Sequence, residues 1–321
     1  MASILTNTSA IASIDRLRGL DRSLNTTENR ISSGLRVGSA SDNAAYWSIT
    51  TTMRSDDKAL AAVKDAIALG AASADTAYIG MNQAIDVMSE YKAKLIAARE
   101  PGLDRDKINA ELTELREQMR TIAEGASFNG ENWLVTQNGN TETDRKLVGS
   151  FIRGEDGQVR VGEITYSKGS AGTPNRLIDE TGPGTFGILT QPGLASGWDT
   201  HMSGYVFMTG KDAWPSARLM EVDNSTSNED IDIMISGTEY MMQLMTDAAA
   251  DLGAISSRLE LQTEFVQDIR DASNRGVGKL RDAELNLEST RLKAMQTQQQ
   301  LSIQALSIAN SNGDNLLSLY R

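Results

Sequence analysis

The stretch of sequence that decides the fold is residues 245–308, MTDAAADLGAISSRLELQTEFVQDIRDASNRGVGKLRDAELNLESTRLKAMQTQQQLSI. At seven-residue intervals its residues are apolar, with Ser273 as the one exception: Met245, Leu252, Leu259, Val266, Leu280, Leu287, Ala294, Leu301 and Ile308. An apolar repeat of this period and length is typical of a coiled-coil helix. Such a helix leaves its seam exposed unless another long helix covers it, so we expect a partner helix elsewhere in the chain. The glycines of residues 273–278 (SNRGVG) predict an interruption within the run.

The N-terminal third of the chain supplies the candidate partner helices. Apolar residues at three- and four-residue spacing predict a helix that ends at Gly34, a residue suited to a helix C-terminus. Residues 34–44 then form a connector rich in Gly, Ser, Asp and Asn. A second seven-residue apolar repeat runs from Met53 to Leu95 and stops before a Pro-Gly pair. Beyond it, Asp104 is placed to cap a third helix, whose apolar residues are Ile108, Leu112, Leu115, Met119 and Ile122.

The middle of the chain has a different pattern. Residues 133–136, 146–153 and 158–166 have the composition of strands and are separated by turn sequences such as GEDG, which predicts β-hairpins. Residues 167–226 hold four of the five prolines and many glycines, with few apolar runs. We therefore expect an irregular or β-rich outer domain at residues 167–228, exposed at the surface.

Composition excludes several classes of protein. The chain has no cysteine and one histidine, His201, so a Cys-containing or multi-histidine metal site is excluded. The net charge of −12 provides no basic stripe for nucleic acid. The N-terminus lacks the basic and apolar regions of a signal peptide, and no apolar run is long enough to cross a membrane. We expect no cofactor and no enzymatic activity, a surface or packing role for His201, and packing of Trp198 and Trp214 in a small core rather than on a glycan.

Motifs at the two ends of the chain resemble those of bacterial flagellins. ILTN, RISSGLRV and SDNAA, which begin at residues 4, 30 and 41, resemble the family's N-terminal signature, and RDAE and ALSIANSNGDNLLSLYR, which begin at residues 281 and 305, resemble its C-terminus. The sequence FNG, beginning at residue 128, matches the turn into the family's outer-core hairpin. Tyr46 and Trp47 stand where many flagellins have Gly-Leu, a variant similar to the flagellins of plant-associated alphaproteobacteria of the rhizobial type.

The resemblance implies a mainly α fold, in which long antiparallel coiled-coil-like helices come from both chain ends and β-hairpins and the small outer domain are inserted between them. It implies four regions: an inner-core helical domain from residues 1–33 plus 279–321, a connector at 34–44, an outer-core helical domain with β-hairpins from 45–166 plus 229–278, and the surface-exposed outer domain at 167–228. The polar residues Thr290, Thr297 and Gln304 weaken the terminal seam. We therefore expect the ends to be disordered in the monomer and to fold on assembly.

The function implied by the resemblance is that of a structural subunit, which is exported by the flagellar type III apparatus and polymerises into the extracellular filament used for swimming. The implied partners are further copies of the chain, co-assembling flagellins, hook-associated and cap proteins and an export chaperone, with no nucleic acid and no membrane. Two alternatives stay open. One is a hook–filament junction protein, and the other is an exported adhesin or carbohydrate-binding protein that uses the middle of the chain.

Two sets of residues are candidates for functional contacts. We expect filament assembly to depend on apolar side chains of the terminal helices: Ile14, Leu17, Leu24, Ile31, Leu287, Leu301, Ile308, Leu316 and Leu319. The resemblance also places residues 29–50 in the segment that plant immune receptors read in many flagellins, and Glu90 in a region where flagellins seen by the animal receptor commonly carry an Arg. Asn43 stands where a second Asp is common, so we expect weak recognition by both receptor types. The residues concerned are Arg30, Ser33, Gly34, Asp42, Asn43, Tyr46, Trp47 and Glu90.

Overall fold

The chain is built mainly of long helices. The computed structural model describes residues 7–136, 144–154, 156–167, 169–170, 173–181, 187–191, 205–208 and 218–319. Its helices are α1 (Thr8–Ser33), α2 (Ala44–Ala98), α3 (Arg105–Gly125), α4 (Asn228–Arg281) and α5 (Leu285–Leu319). The chain divides into two compact units, a first unit of Met1–Ala59 with Ile269–Arg321 and a second unit of Leu60–Asp268. The prediction of a mainly α fold with long helices from both chain ends is confirmed.

In the first unit, α1 and α5 run antiparallel. At one end of the pair Asn7 Nδ2 donates a hydrogen bond of 2.8 Å to the carbonyl oxygen of Ala309. Near the middle Gln299 Nε2 donates to Asp21 Oδ1 at 2.8 Å. Asn7 also caps α1, and Gly34 ends the helix in the left-handed conformation with φ of +71°. The predicted end of the first helix at Gly34 is therefore confirmed, because a residue without a Cβ adopts this conformation at little energetic cost.

The predicted interruption at residues 273–278 is wrong, because α4 continues through it to Arg281. Gly276 lies where a Cβ atom would come within 3.1 Å of Met53 Cε, so this glycine permits close packing on α2 rather than breaking the helix. The break comes at residues 282–284. There the carbonyl oxygen of Arg281 accepts hydrogen bonds from the backbone N–H groups of Arg36 and Val37, at 2.7 and 3.1 Å. The connector thus takes over the hydrogen bonding at the end of α4.

In the second unit, residues 60–98 of α2 and 228–268 of α4 lie antiparallel. Lys64 Nζ donates to Gln267 Oε1 at 2.8 Å at one end, and Lys92 pairs with Glu239 towards the other. The predicted seven-residue repeats form the packed seam here, and α3 adds Leu112 and Met119 to the same core. The buried repeat residues are Leu60, Ile67, Ala74, Met81, Met88 and Leu95 of α2 and Met245, Leu252, Leu259 and Val266 of α4.

The start of α3 differs in detail from the prediction. Asp104 does precede the helix, but its side chain makes no capping hydrogen bond. Its carboxylate instead lies 3.5 Å from Lys107 Nζ, while its carbonyl oxygen accepts from the backbone N–H of Ile108 at 3.3 Å.

Short strands connect the helices of the second unit. β1 (Ser127–Phe128) and β2 (Glu131–Asn132) form a tight hairpin, whose turn residues Asn129 and Gly130 have φ of 51° and 81°. Together β4 (Asp144–Arg153) and β5 (Val159–Ser167) form the long predicted hairpin, with an irregularity between Val148 and Ser150. The predicted strand at 133–136 is shorter and belongs to no hairpin: it is β3 (Val135–Thr136), which pairs in parallel with β8 (Ile178–Asp179). The remaining strands are β6 (Gly169–Ser170), β7 (Thr173–Pro174), β9 (Tyr205–Val206) and β10 (Arg218–Leu219).

The described parts of residues 167–228 share the helical core instead of forming a core of their own. Phe207 packs edge-on against Tyr91 of α2, with ring centroids 4.8 Å apart. Tyr91 Oη donates to the carbonyl oxygen of Met220 at 3.1 Å, and burial raises the pKa of Tyr91 to about 12. The expectation of a separate exposed domain overlooked the short apolar pairs in this segment, which are fully buried: Leu177, Ile178, Ile188 and Leu189. His201, Trp198 and Trp214 lie outside the described residues.

Candidate assembly surface

The seam between α1 and α5 is formed by residues that alternate at three- and four-residue spacing on each helix. On α1 the buried and half-buried residues are Ala10, Ser13, Leu17, Leu20, Leu24, Thr27 and Ile31. On α5 they are Glu288, Leu292, Met295, Gln299, Ser302, Leu306 and Ala309. Several of these side chains are small or polar, so the seam buries much less apolar surface than the seam of the second unit.

The predicted apolar repeat of α5 does not lie in this seam. Leu287 is 60 % exposed, Leu301 is 58 % exposed and Ile308 is 62 % exposed. The repeat is buried in α4, but the break at residues 282–284 changes which face of the helix meets its partner, so in α5 it points to solvent. We call Leu287, Leu301 and Ile308 the terminal stripe. Residues seven positions apart lie close to two helical turns apart, which places the three side chains along one face of α5.

The other residues expected to support assembly fall into two groups. Leu17, Leu24 and Ile31 lie in the seam within the chain, whereas Ile14 is exposed and neighbours the exposed Ile11. Leu316 and Leu319 belong to α5, but their side chains lie outside the described residues.

A buried ion pair lies in the seam that sequence reasoning missed. Glu288, in the first turn of α5, is 5 % exposed, and its Oε1 atom lies 3.2 Å from Nη1 of Arg30. Its second carboxylate oxygen is buried with no hydrogen-bond partner among the described residues. A carboxylate at the N-terminal end of a helix is stabilised by the helix dipole as well as by its counter-ion. The signal available in the sequence was a charged residue within an otherwise neutral seam pattern.

The connector is held tightly by its own side chains. Asp42 accepts hydrogen bonds from the backbone N–H of Ser39 at 2.9 Å, from the Ser39 hydroxyl at 3.0 Å and from the backbone N–H of Gly38 at 3.0 Å. These bonds, first those from Ser39, lower the pKa of Asp42 below its usual range. Asn43 Oδ1 accepts from the backbone N–H of Tyr46 at 3.0 Å and so caps the start of α2.

The residues expected to meet immune receptors are mostly accessible in the folded chain. Tyr46 and Trp47 are exposed at the start of α2, and Glu90 is exposed further along the same helix. Ser33 accepts from the backbone N–H of Leu35 at 3.2 Å, next to the turn made by Gly34. No contact with a receptor is observed, so weak recognition stays a prediction.

These features define a class of protein. Its two chain ends pair as helices, and one of those helices leaves a row of large apolar side chains without a partner, as expected of a subunit that associates with copies of itself. Within the described residues, no helix is both long enough and apolar enough to span a membrane.

Comparison with known proteins identifies the family. The chain matches the bacterial flagellin N-terminal helical region over residues 4–139 and the bacterial flagellin C-terminal helical region over residues 235–320. It is similar over the full length of both chains to flagellin C of Rhizobium meliloti strain 1021 at 47 % identity, flagellin A of Rhizobium meliloti at 42 %, and flagellin of Brucella melitensis biotype 1 at 35 %. The chain belongs to the bacterial flagellin family, a family of structural proteins, and is a structural subunit of the flagellar filament. The junction-protein and adhesin alternatives are not favoured.

Proposed function

We propose that the chain polymerises by burying the terminal stripe against neighbouring copies in the filament. The observation that carries this proposal is the exposure of Leu287, Leu301 and Ile308 on a helix whose other face already has a partner. Contiguous exposed apolar surface on a protein commonly marks a site of association. Burying a large apolar side chain completely is worth about 1.5–3 kcal/mol, so three such side chains contribute enough to drive assembly.

The composition of the α1–α5 seam supports coupling between ordering of the ends and assembly. The seam contains Ser13, Thr27, Gln299 and Ser302 where the second unit has large apolar residues. A helix pair with so little buried apolar surface scarcely offsets the entropy lost on ordering, about 1–2 kcal/mol for each residue's backbone. Burial of the terminal stripe in the filament supplies the missing stabilisation.

The finer functional assignments follow from the family. The subunit is exported by the flagellar type III apparatus, lies outside the cell in the filament and has no enzymatic activity. Hook-associated proteins, the cap and an export chaperone are its further partners. Rhizobium meliloti has flagellins named A, B, C and D, which supports co-assembly of this chain with similar flagellins in one filament.

Sedimentation of the purified full-length chain tests this function. The chain is mixed with short filament fragments as seeds, and the protein in the pellet is measured as its total concentration increases. We expect a critical concentration above which added protein enters the pellet as long filaments. A chain that stays in the supernatant at all concentrations, but binds immobilised glycans, would support the adhesin alternative instead.

A further inference from the structure

The end of the β4–β5 hairpin lacks the packing that its base has. At the base, Ile164 and Tyr166 are buried, and Leu147 packs beside Gly70, where a Cβ atom would lie 3.1 Å from Leu147 Cδ2. At the other end both faces are open. A two-stranded hairpin alone is marginally stable in water, so its unsupported end benefits from a partner. We call the five exposed residues there the hairpin end: Ile152, Arg153, Val159, Arg160 and Val161.

Helix α4 carries an exposed surface of complementary chemistry. Leu261 is 64 % exposed and Phe265 is 55 % exposed, although most large apolar side chains of the second unit are buried. Three exposed carboxylates surround them, and their three- and four-residue spacing places all five side chains on one side of the helix. We call this surface the acidic helix face: Glu260, Leu261, Glu264, Phe265 and Asp268.

The hairpin end of the same chain does not cover the acidic helix face. Ser256 contacts Asp75, and Gln267 contacts Lys64, so Leu261 lies opposite the part of α2 near Gly70 where the hairpin packs. The two surfaces are therefore at the same level of the second unit, and both remain exposed. Each thus needs an occupant from outside the chain.

We propose that the hairpin end of one subunit docks onto the acidic helix face of a neighbouring subunit in the filament. The two arginines meet the three carboxylates, and Ile152, Val159 and Val161 cover Leu261 and Phe265. A contact between two different surfaces of one protein does not close on itself, so it propagates from copy to copy as a filament requires. Opposite charges at such a contact fix which surfaces meet. The inference rests on the proposed function, since the occupant is a second copy of this chain.

Cross-linking tests the contact directly, because the chain has no cysteine. Val161→Cys and Phe265→Cys are made singly and together, at exposed positions, and assembled filaments are treated with a short bis-maleimide. The doubly substituted chain should give a ladder of covalent oligomers, a mixture of the two single variants should give dimers, and each single variant alone should stay monomeric. Combining Phe265→Cys with Glu117→Cys, an exposed position on α3, is the matched control and should give no ladder.

Charge reversal provides an independent readout. Arg160→Glu and Glu264→Arg should each raise the critical concentration for assembly at low salt by about fivefold, and their combination should restore it to within about twofold. Glu114→Arg on α3 makes the same charge change outside both surfaces and should leave the critical concentration unchanged. Filaments that form normally but give no cross-linked ladder, with no rescue in the double reversal, would overturn the contact and leave the proposed function intact. Failure of the unsubstituted chain to form filaments would overturn both.

Discussion

Replacing residues of the terminal stripe by alanine should weaken assembly while leaving the monomer almost unchanged. Leu301 and Ile308 are 58 % and 62 % exposed, so the folded chain buries only a minor part of each side chain. Leu301→Ala should therefore have little effect on the helical content or the thermal unfolding of the monomer. Alanine is also a strong helix former, so the backbone of α5 is not weakened by the change.

The size of the effect follows from the surface that remains to be buried. Complete burial of a leucine or isoleucine is worth about 1.5–3 kcal/mol, and roughly three-fifths of that remains available for burial in the filament. Each substitution should thus weaken subunit addition by about 1–2 kcal/mol, which corresponds to a rise of about 5–30-fold in the critical concentration.

Seeded sedimentation of Leu301→Ala, Ile308→Ala and the double variant measures this rise, with circular dichroism of each monomer alongside. Leu24→Ala is the matched control, because Leu24 is buried in the α1–α5 seam. It should lower the helical content and the unfolding temperature of the monomer itself. Unchanged critical concentrations for both stripe variants would show that the terminal stripe is not buried in the filament and would refute the reasoning.

Three further predictions follow. Glu288→Gln leaves the half-buried Arg30 without its counter-ion and should reduce the stability of the α1–α5 pair by about 1–3 kcal/mol, measured by thermal unfolding of the first unit; the exchanged pair Arg30→Glu with Glu288→Arg should recover part of the loss, and full stability of Glu288→Gln would contradict a structural role for the ion pair. Replacing residues 167–226 by a Gly-Ser linker should lower the unfolding temperature of the second unit, because its described apolar residues lie in the helical core, and an unchanged temperature would contradict that burial. A synthetic peptide of residues 29–50 should elicit a weaker response in plant tissue than the same peptide with Asn43→Asp, Tyr46→Gly and Trp47→Leu, and equal responses at nanomolar dose would show that these residues do not govern recognition.

The helices were predictable from the sequence because each carries its own repeat. The seven-residue patterns of α2 and α4 identify the residues that pack, since a long uninterrupted helix keeps one face towards its partner. The paired ends were predictable from the resemblance to flagellins. Gly34 was a reliable marker of a helix end, because the left-handed conformation strongly favours glycine there.

The candidate site was harder to predict. The apolar repeat continues in phase from Leu280 to Leu287, and nothing local to α5 shows that the break between them turns a different face inward. The connector makes that break by bonding to Arg281, a contact between residues far apart in the sequence. Glu288 was missed for the same reason, since its burial depends on the opposing helix.

The middle of the chain resisted prediction because its apolar residues come in pairs too short to show a period. Leu177 and Ile178 are buried by pairing of β8 with β3, which brings together residues more than forty positions apart. Composition rich in glycine and proline correctly indicated irregular backbone, but irregular backbone still reached the core.

The central claim is that the terminal helices carry assembly while the second unit folds on its own core. Deleting residues 279–321 tests it most directly, with circular dichroism, thermal unfolding and seeded sedimentation measured on the same truncated protein. We predict that the second unit keeps its helical signal and a cooperative unfolding transition, and that no protein enters the pellet at any concentration tested. Filaments formed by the truncated chain would contradict the claim.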